Sequence, residues 1–374
     1  MVGCFIKAGV PGDMSTRIWE IVLGTIFVGA AQPFFQITPP LLVARWFGSK
    51  ERTAASGVCI NANQIGIGFA FVLGPLTVKD KEDIEEYFFW IAMLAAVLCF
   101  GTCLQFRSFP PEPPVPASQD TTKSEAQTPM DLFNESHAMW SAPGFAMTVA
   151  AFCVSFTNTN VISSFLNALM HPAGYTNNEI GFTGALFQVA IMVGSILLGT
   201  LVDETRMYKT ATVWLLSATT VVLVLCTYLD FAMIGIAAVA ALIMLLGIVD
   251  GPLMPISSEA AVEVTYPANE NIIMALQMVT GNLVSFCLLP VFHQGTEMAR
   301  DRQQAFWLLI LITVICGVVF LKRFDGKFAR ARVEGFDFDS FSAREGTKGL
   351  YGAVASTLCI EPSQELDDVP PSAF

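Results

Sequence analysis

The sequence predicts an all-α membrane protein of about nine spanning helices, and three observations carry that expectation. Of 374 residues, 53% are apolar and only 14% charged, a balance that a water-soluble surface does not have. Mean hydropathy is +0.57. The apolar residues are also clustered: residues 233–247 carry no charge at all, the pattern a lipid solvent selects. The net charge of −12 comes without a basic stripe that could follow a phosphate backbone, so nucleic acid is excluded as a partner. The expected partners are the bilayer and a small solute.

A helix crosses ~30 Å of hydrocarbon with about 20 mainly apolar residues at ~1.5 Å each. On that criterion the spans are residues 21–46, 54–76, 88–104, 145–170, 181–202, 210–229, 232–256, 272–291 and 306–321. Pro33, Pro39, Pro40 and Pro252 fall inside them, which membrane bundles tolerate because neighbouring helices re-satisfy the freed backbone groups. Residues 1–10 are apolar but too short to span, as the end of an earlier helix would be.

The domain reading follows from the same pass. Residues 1–106 hold three spans, and 107–144 form a linker whose stretch 109–141 carries Pro110, Pro111, Pro113, Pro114 and Pro116, the composition of a mobile connection. Residues 145–322 hold six more spans, and 323–374 an acidic tail expected to be disordered, since isolated Phe336, Phe338 and Phe341 bury too little surface to offset ordering.

Orientation follows from Lys and Arg, which accumulate in cytoplasmic loops. With the C-terminus inside, fourteen of the 20 Lys and Arg fall inside and five (Arg17, Lys79, Lys81, Arg300, Arg302) outside, Lys7 being unassigned. The linker and tail are therefore expected in the cytoplasm.

Nine cysteines, eight of them in or beside apolar runs, imply no disulfide framework. No C-x-x-C occurs, and His137, His171 and His293 are far apart, so neither metal nor cofactor is expected. No G-x-S-x-G or H-E-x-x-H appears, so the chain does not read as an enzyme.

Four stretches point to one family. Trp46-Phe47 and Glu51-Arg52-Thr53-Ala54 fill the tight connection between the first two spans, and Asn63-Gln64-Ile65-Gly66 follows in the second. Glu259-Ala260-Ala261-Val262-Glu263-Val264-Thr265-Tyr266-Pro267 stands at the cytoplasmic end of the seventh. Together these resemble the feline leukaemia virus subgroup C receptor family of the major facilitator superfamily. Val2-Gly3-Cys4-Phe5-Ile6-Lys7 is similar to the end of that family's third helix, and Gly199-Thr200-Leu201-Val202-Asp203-Glu204-Thr205-Arg206 resembles the superfamily's inter-helix signature.

The resemblance runs from Met1 to about Arg330. It implies a major facilitator helical bundle in which the spans are helices four to twelve, an N-terminally truncated arrangement because a central linker should separate two six-helix halves. An incomplete gene model or a truncated isoform would account for it. The resemblance also implies alternating-access transport of a small metabolite at the plasma membrane, choline or ethanolamine, with haem the older assignment. A non-transporting receptor or partner is the rival reading.

A quaternary ammonium has no hydrogen bond to donate, so its site needs aromatic faces and oxygen dipoles without a fully buried unpaired charge. Gln64 fits as an oxygen at mid-membrane depth, and the resemblance implies that this glutamine lines the substrate cavity. Asn61 shares its helix face. The family's second cavity glutamine falls on Asn282, one methylene shorter, with Gln277 on the same helix a candidate for the lost contact. Phe152, Phe156, Asn158 and Asn160 would supply an aromatic wall and polar tips. The competing reading of all these amides is that they join neighbouring helices.

Asp250 is the one acid well inside a span, six residues or ~9 Å from the predicted end at Ile256. It reads as a site for a cation or a proton, or as a hydrogen-bonded carboxyl facing the interior. Arg52, Asp203, Arg206, Glu259 and Glu263 gather near the cytoplasmic ends. Glu259 and Glu263 share a face at i, i+4 and repel unless a cation meets them. They read as a gating latch between rocking halves or as solvated end charges.

Overall fold

The computed structural model describes residues 1–9, 14–46, 52–80, 82–107, 129–266, 268–297 and 302–324. These form twelve helices: α1 (Val2–Ala8), α2 (Met14–Trp46), α3 (Arg52–Thr77), α4 (Asp83–Gln105), α5 (Pro129–Trp140), α6 (Phe145–Met170), α7 (Asn177–Thr205), α8 (Tyr208–Tyr228), α9 (Ile236–Asp250), α10 (Leu253–Thr265), α11 (Glu270–Glu297) and α12 (Arg302–Arg323). Eight segments are long and apolar enough to cross a membrane, α9 and α10 counting together as Ile236–Thr265, and α3 adds a shorter apolar stretch, Ala62–Thr77. These are the expected nine positions, with the second reduced to a part-span. The expected tail, from 325 onward, lies outside the described residues.

Two expectations are corrected. The linker is not structureless throughout: its last part is helix α5, whose Glu135 accepts a hydrogen bond from Asn269 N at 3.0 Å and so ties it to the start of α11. Proline content predicted a mobile connection, but the prolines stand in 110–116, before the helix. The seventh span does not end at Ile256 either. It turns at Gly251-Pro252 and continues to Thr265, because Pro252 has no N–H to return to the preceding turn while the chain beyond still packs apolar residues such as Ile256, Ala260 and Ala261 inside. In α2, by contrast, Pro33, Pro39 and Pro40 stay within one continuous helix.

The interior is built by the helices after the linker. One apolar cluster joins Ile162, Leu166 and Leu169 of α6 to Phe187 of α7, Leu223 of α8, Ile243 of α9, Phe292 of α11 and Leu309 of α12. α6 is its centre, buried along most of its length. α7 is started by a capping box: Glu179 Oε2 accepts from Thr176 N at 2.8 Å, and Thr176 Oγ1 accepts from Glu179 N at 3.4 Å. Nearby, Tyr175 Oη reaches the Phe231 and Ile234 carbonyls at 2.8 and 2.5 Å, closing one end of the bundle.

Close helix contacts rest on small residues, as expected where lipid offers no hydrophobic drive for association. A side chain on Gly181 or Gly184 of α7 would collide with Phe71 of α3, and one on Gly194 would lie 2.5 Å from the Ile248 carbonyl of α9. The earlier helices are differently packed: Trp19, Phe34 and Phe35 of α2 are 75%, 75% and 77% exposed, faces that only an apolar solvent stabilises.

Candidate functional site

Along the seam between α3 and α7 runs a partly open cavity of about 240 Å³ lined by Gln64, Ile65, Gly68, Phe69 and Val72 of α3 and Ala185, Gln188, Val189 and Met192 of α7. Gln64 stands twelve residues into α3, and Gln188 eleven residues into α7, so both lie ~17 Å along their antiparallel helices, near mid-depth. Each holds a buried side-chain oxygen, Oε1, with no hydrogen-bond partner. An unsatisfied buried carbonyl is costly, and the two residues that carry these oxygens both line this one cavity.

A larger cavity of about 390 Å³ opens between the same helices toward the C-terminal end of α3, lined by Gly74, Pro75, Ser163, Asn167 and Asn177 among others. Ser163 accepts a hydrogen bond from Gln188 Nε2 at 3.1 Å. This bond links the wall of the outer cavity to that of the inner one.

Gln188 was missed from the sequence. Its signal was present, as a lone amide in the apolar run 181–202, but only packing shows that it lines the same cavity as Gln64. The other expected residues are placed differently. Gln277 is fully buried and its amide is used at both ends, accepting from Ser258 Oγ at 2.8 Å and donating to the Ser257 carbonyl at 3.3 Å; it ties α11 to α10. Asn282 Nδ2 donates to Met278 O of its own helix at 2.8 Å. Phe156 stacks on Phe152 at 5.8 Å between ring centroids and is buried, with Gly281 of α11 packed beside it. Asn160 is half-buried on α6. Among the described residues none of these four lines the α3–α7 cavity. The side chains of Asn61 and Asp203 lie outside the described residues.

Asp250 is 1% exposed, at the end of α9 where the span breaks. With the span running to Thr265, it stands at the middle of a 30-residue segment rather than near its end. Three neutral side chains of α6 meet its carboxyl group: Ser155 Oγ at 3.1 Å and Thr159 Oγ1 at 3.3 Å on Oδ2, and Asn158 Nδ2 at 3.1 Å on Oδ1. Asn158 also reaches Thr313 Oγ1 of α12 at 3.4 Å. Asn158, expected on a substrate wall, is instead part of this polar centre.

At the opposite end of α7, Arg206 takes the left-handed conformation (φ 55) that ends the helix. Its Nη1 lies 2.9 Å from Glu263 Oε1 and 3.2 Å from Tyr208 Oη. Glu263 is 1% exposed and Glu259 is exposed, and a cation does meet the buried member of the i, i+4 pair. The bridge joins α7 to α10, both after the linker. It therefore pins helices of one bundle together.

The family model of the Major Facilitator Superfamily matches residues 1–290 and, a second time, 147–354. The chain belongs to the Major Facilitator Superfamily. Among its relatives, "Solute carrier family 49 member A3" of Xenopus tropicalis is 24% identical over 308 residues, covering 79% of this chain and 62% of that protein. "Choline/ethanolamine transporter FLVCR1" of Felis catus is 26% identical over 313 residues, covering 80% and 55%. The chain thus spans little more than half the length of the relatives it matches. The crystal structure of a bacterial homolog to the human lysosomal transporter Spinster, inward-facing and unoccupied, superposes with a TM-score of 0.60 at 13% identity, covering 85% of this chain and 79% of that one. As a Major Facilitator Superfamily member with eight segments, among the described residues, long and apolar enough to cross a membrane, this is a multi-pass membrane protein. In this superfamily, substrates bind near the midplane between helix sets that rock against each other, and the α3–α7 cavity lies between a helix before the linker and one after it.

Proposed function

We propose that this chain is a non-enzymatic transporter that carries a small ammonium alcohol, choline or ethanolamine, by alternating access, with Gln64 and Gln188 contacting the cationic head group. The observation that supports it is that two glutamines with unpartnered amide oxygens line one cavity at mid-depth. Phe69 lines the same cavity and adds an aromatic face, so the parts needed for a quaternary ammonium, dipoles and a ring without a full counter-charge, are in one place. The name of the Felis catus relative points to the same solutes. A volume of about 240 Å³ suits a solute of a few heavy atoms and is too small for a porphyrin. Function at the plasma membrane with the C-terminus in the cytoplasm completes the reading. Asn282 and Asn160 enter the site only in another state of the cycle.

The test is uptake of labelled choline and ethanolamine by cells expressing the full chain at measured surface density. Hydrogen bonds to a charged group contribute roughly 1.5–3 kcal/mol, so Gln64→Ala and Gln188→Ala should each raise the half-saturating concentration about tenfold or more. Surface-expressed variants with unchanged affinity and rate would remove both residues from the site.

A further inference from the structure

The transport reading uses the α3–α7 cavity and leaves Asp250 without a role. Its surroundings contain a hydrogen that is asked to do two things. Ser155 Oγ is 2.7 Å from the Asp250 main-chain oxygen and 3.1 Å from Oδ2 of the same residue. One hydroxyl carries one hydrogen, and the shorter contact claims it. The contact between Ser155 Oγ and Oδ2 then brings two oxygens together without a hydrogen from serine. Thr159 Oγ1 approaches the same Oδ2 at 3.3 Å, so that two hydroxyls meet one carboxylate oxygen and one of them also meets the main-chain carbonyl.

The place in the fold has the same chemistry. Asp250 ends α9, Pro252 interrupts the span, and α10 begins at Leu253. Broken helices in the membrane present carbonyls and a negative dipole end to bound cations. The partners of the carboxyl group are all neutral: Ser155, Asn158 and Thr159 from α6, with Thr313 of α12 behind Asn158. From α7, Ile191 packs at Gly251. The thiols on the packed helices, Cys153 of α6, Cys226 of α8, Cys287 of α11 and Cys316 of α12, are not among its hydrogen-bond partners. Among the described side chains, the charged residues of those helices stand toward the ends of the spans: Glu179, Lys209, Glu259, Glu263, Glu270, Lys322 and Arg323. A full negative charge in that interior, with neutral donors alone, is costly.

We propose that Asp250, Ser155 and Thr159 form a binding site for a small monovalent cation, a proton or Na⁺, in the bundle that follows the linker. The cation supplies the positive charge between Oδ2 and the two hydroxyls and draws α6 onto the break between α9 and α10. Its release opens that contact, which makes occupancy a lever on the bundle. Coupling of this lever to solute movement rests on the transporter reading; binding of the cation does not.

The full chain, purified in detergent, is melted over a series of NaCl concentrations with N-methylglucamine chloride holding ionic strength constant, and over pH 5 to 8 without Na⁺. The wild-type melting temperature rises with Na⁺ if the ion is sodium, or moves with pH if it is a proton, since a ligand of the folded state stabilises it by mass action. Asp250→Asn loses that dependence. Wild-type protein indifferent to both series, or Asp250→Asn retaining the dependence, overturns the site. Should Asp250→Asn fail to fold, Ser155→Ala keeps the carboxyl group and removes one oxygen, and its midpoint in the effective series must shift several-fold; an unmoved midpoint overturns the proposal equally. All these outcomes stand apart from choline or ethanolamine uptake, so failure here and failure of the transport reading are separately visible.

Discussion

Glu263 shows how much one partner can decide. Its side chain is 1% exposed beside an apolar helix face, and Arg206 Nη1 at 2.9 Å supplies the opposite charge while Tyr208 Oη shares the guanidinium. Truncating one member of a buried pair leaves the other charge poorly compensated, at roughly 3–5 kcal/mol. Arg206 is partly exposed, at 25%, so water tempers the loss, and Arg206→Ala should cost about 2–3 kcal/mol. Glu263→Gln in the same background should restore part of that stability. Thermal melting of the two single variants and the double variant gives the coupling; additive effects would show that the pair does not interact. The sequence announced that Glu259 and Glu263 need a cation, but it did not say which one, since Arg206 is 57 positions away.

Among the elements, α7 carries the clearest consequence because it touches both α3 and α9 through glycines. At Gly194 a Cβ would lie 2.5 Å from the Ile248 carbonyl, whereas at Gly199, five residues on, nothing stands within 4 Å. Gly194→Leu should therefore force α7 away from α9, an overpacking cost of about 1–3 kcal/mol or more, and displace the helix break beside Asp250. Gly199→Leu should be neutral or slightly stabilising, since leucine is the better helix former. Detergent melting curves and yields of the two variants make the comparison, and equal behaviour would refute the close α7–α9 contact. From sequence, both glycines look alike in one apolar run.

For the molecule as a whole, the ends of the helices sort themselves. α5, through Glu135 and Asn269, and the Arg206–Glu263 bridge lie at ends of α10 and α11 that adjoin in sequence. The C-terminal end of α3 and the N-terminal end of α7 meet at the larger cavity. From the Lys/Arg asymmetry we propose that the first set faces the cytoplasm and the second the outside. In a cysteine-depleted background, Asp83→Cys at the start of α4 should label with impermeant maleimide from outside intact cells, and Met130→Cys, 67% exposed on α5, only after permeabilisation. The reverse pattern would invert the topology.

Composition and periodicity sufficed for the solvent, the class and nearly all the span positions, because about 20 apolar residues in a row have few places to be other than a bilayer. The motifs around Gln64, Arg206 and Glu263 sufficed for the superfamily. What they could not convey is which polar groups meet. Gln188 joining Gln64, Gln277 turning away to Ser257 and Ser258, and Asn158 serving Asp250 rather than a solute are outcomes of helix rotation and packing. A span that is hydrophobic all round has almost no amphipathic signal to orient it. The continuation of the seventh span past Ile256 had the same cause: polar residues at 257–259 looked like an exit from the membrane, yet Ser257 and Ser258 are buried against α11. Hydropathy along a chain reports the average surroundings of each segment; the partner of each polar atom is settled only when the helices close on one another.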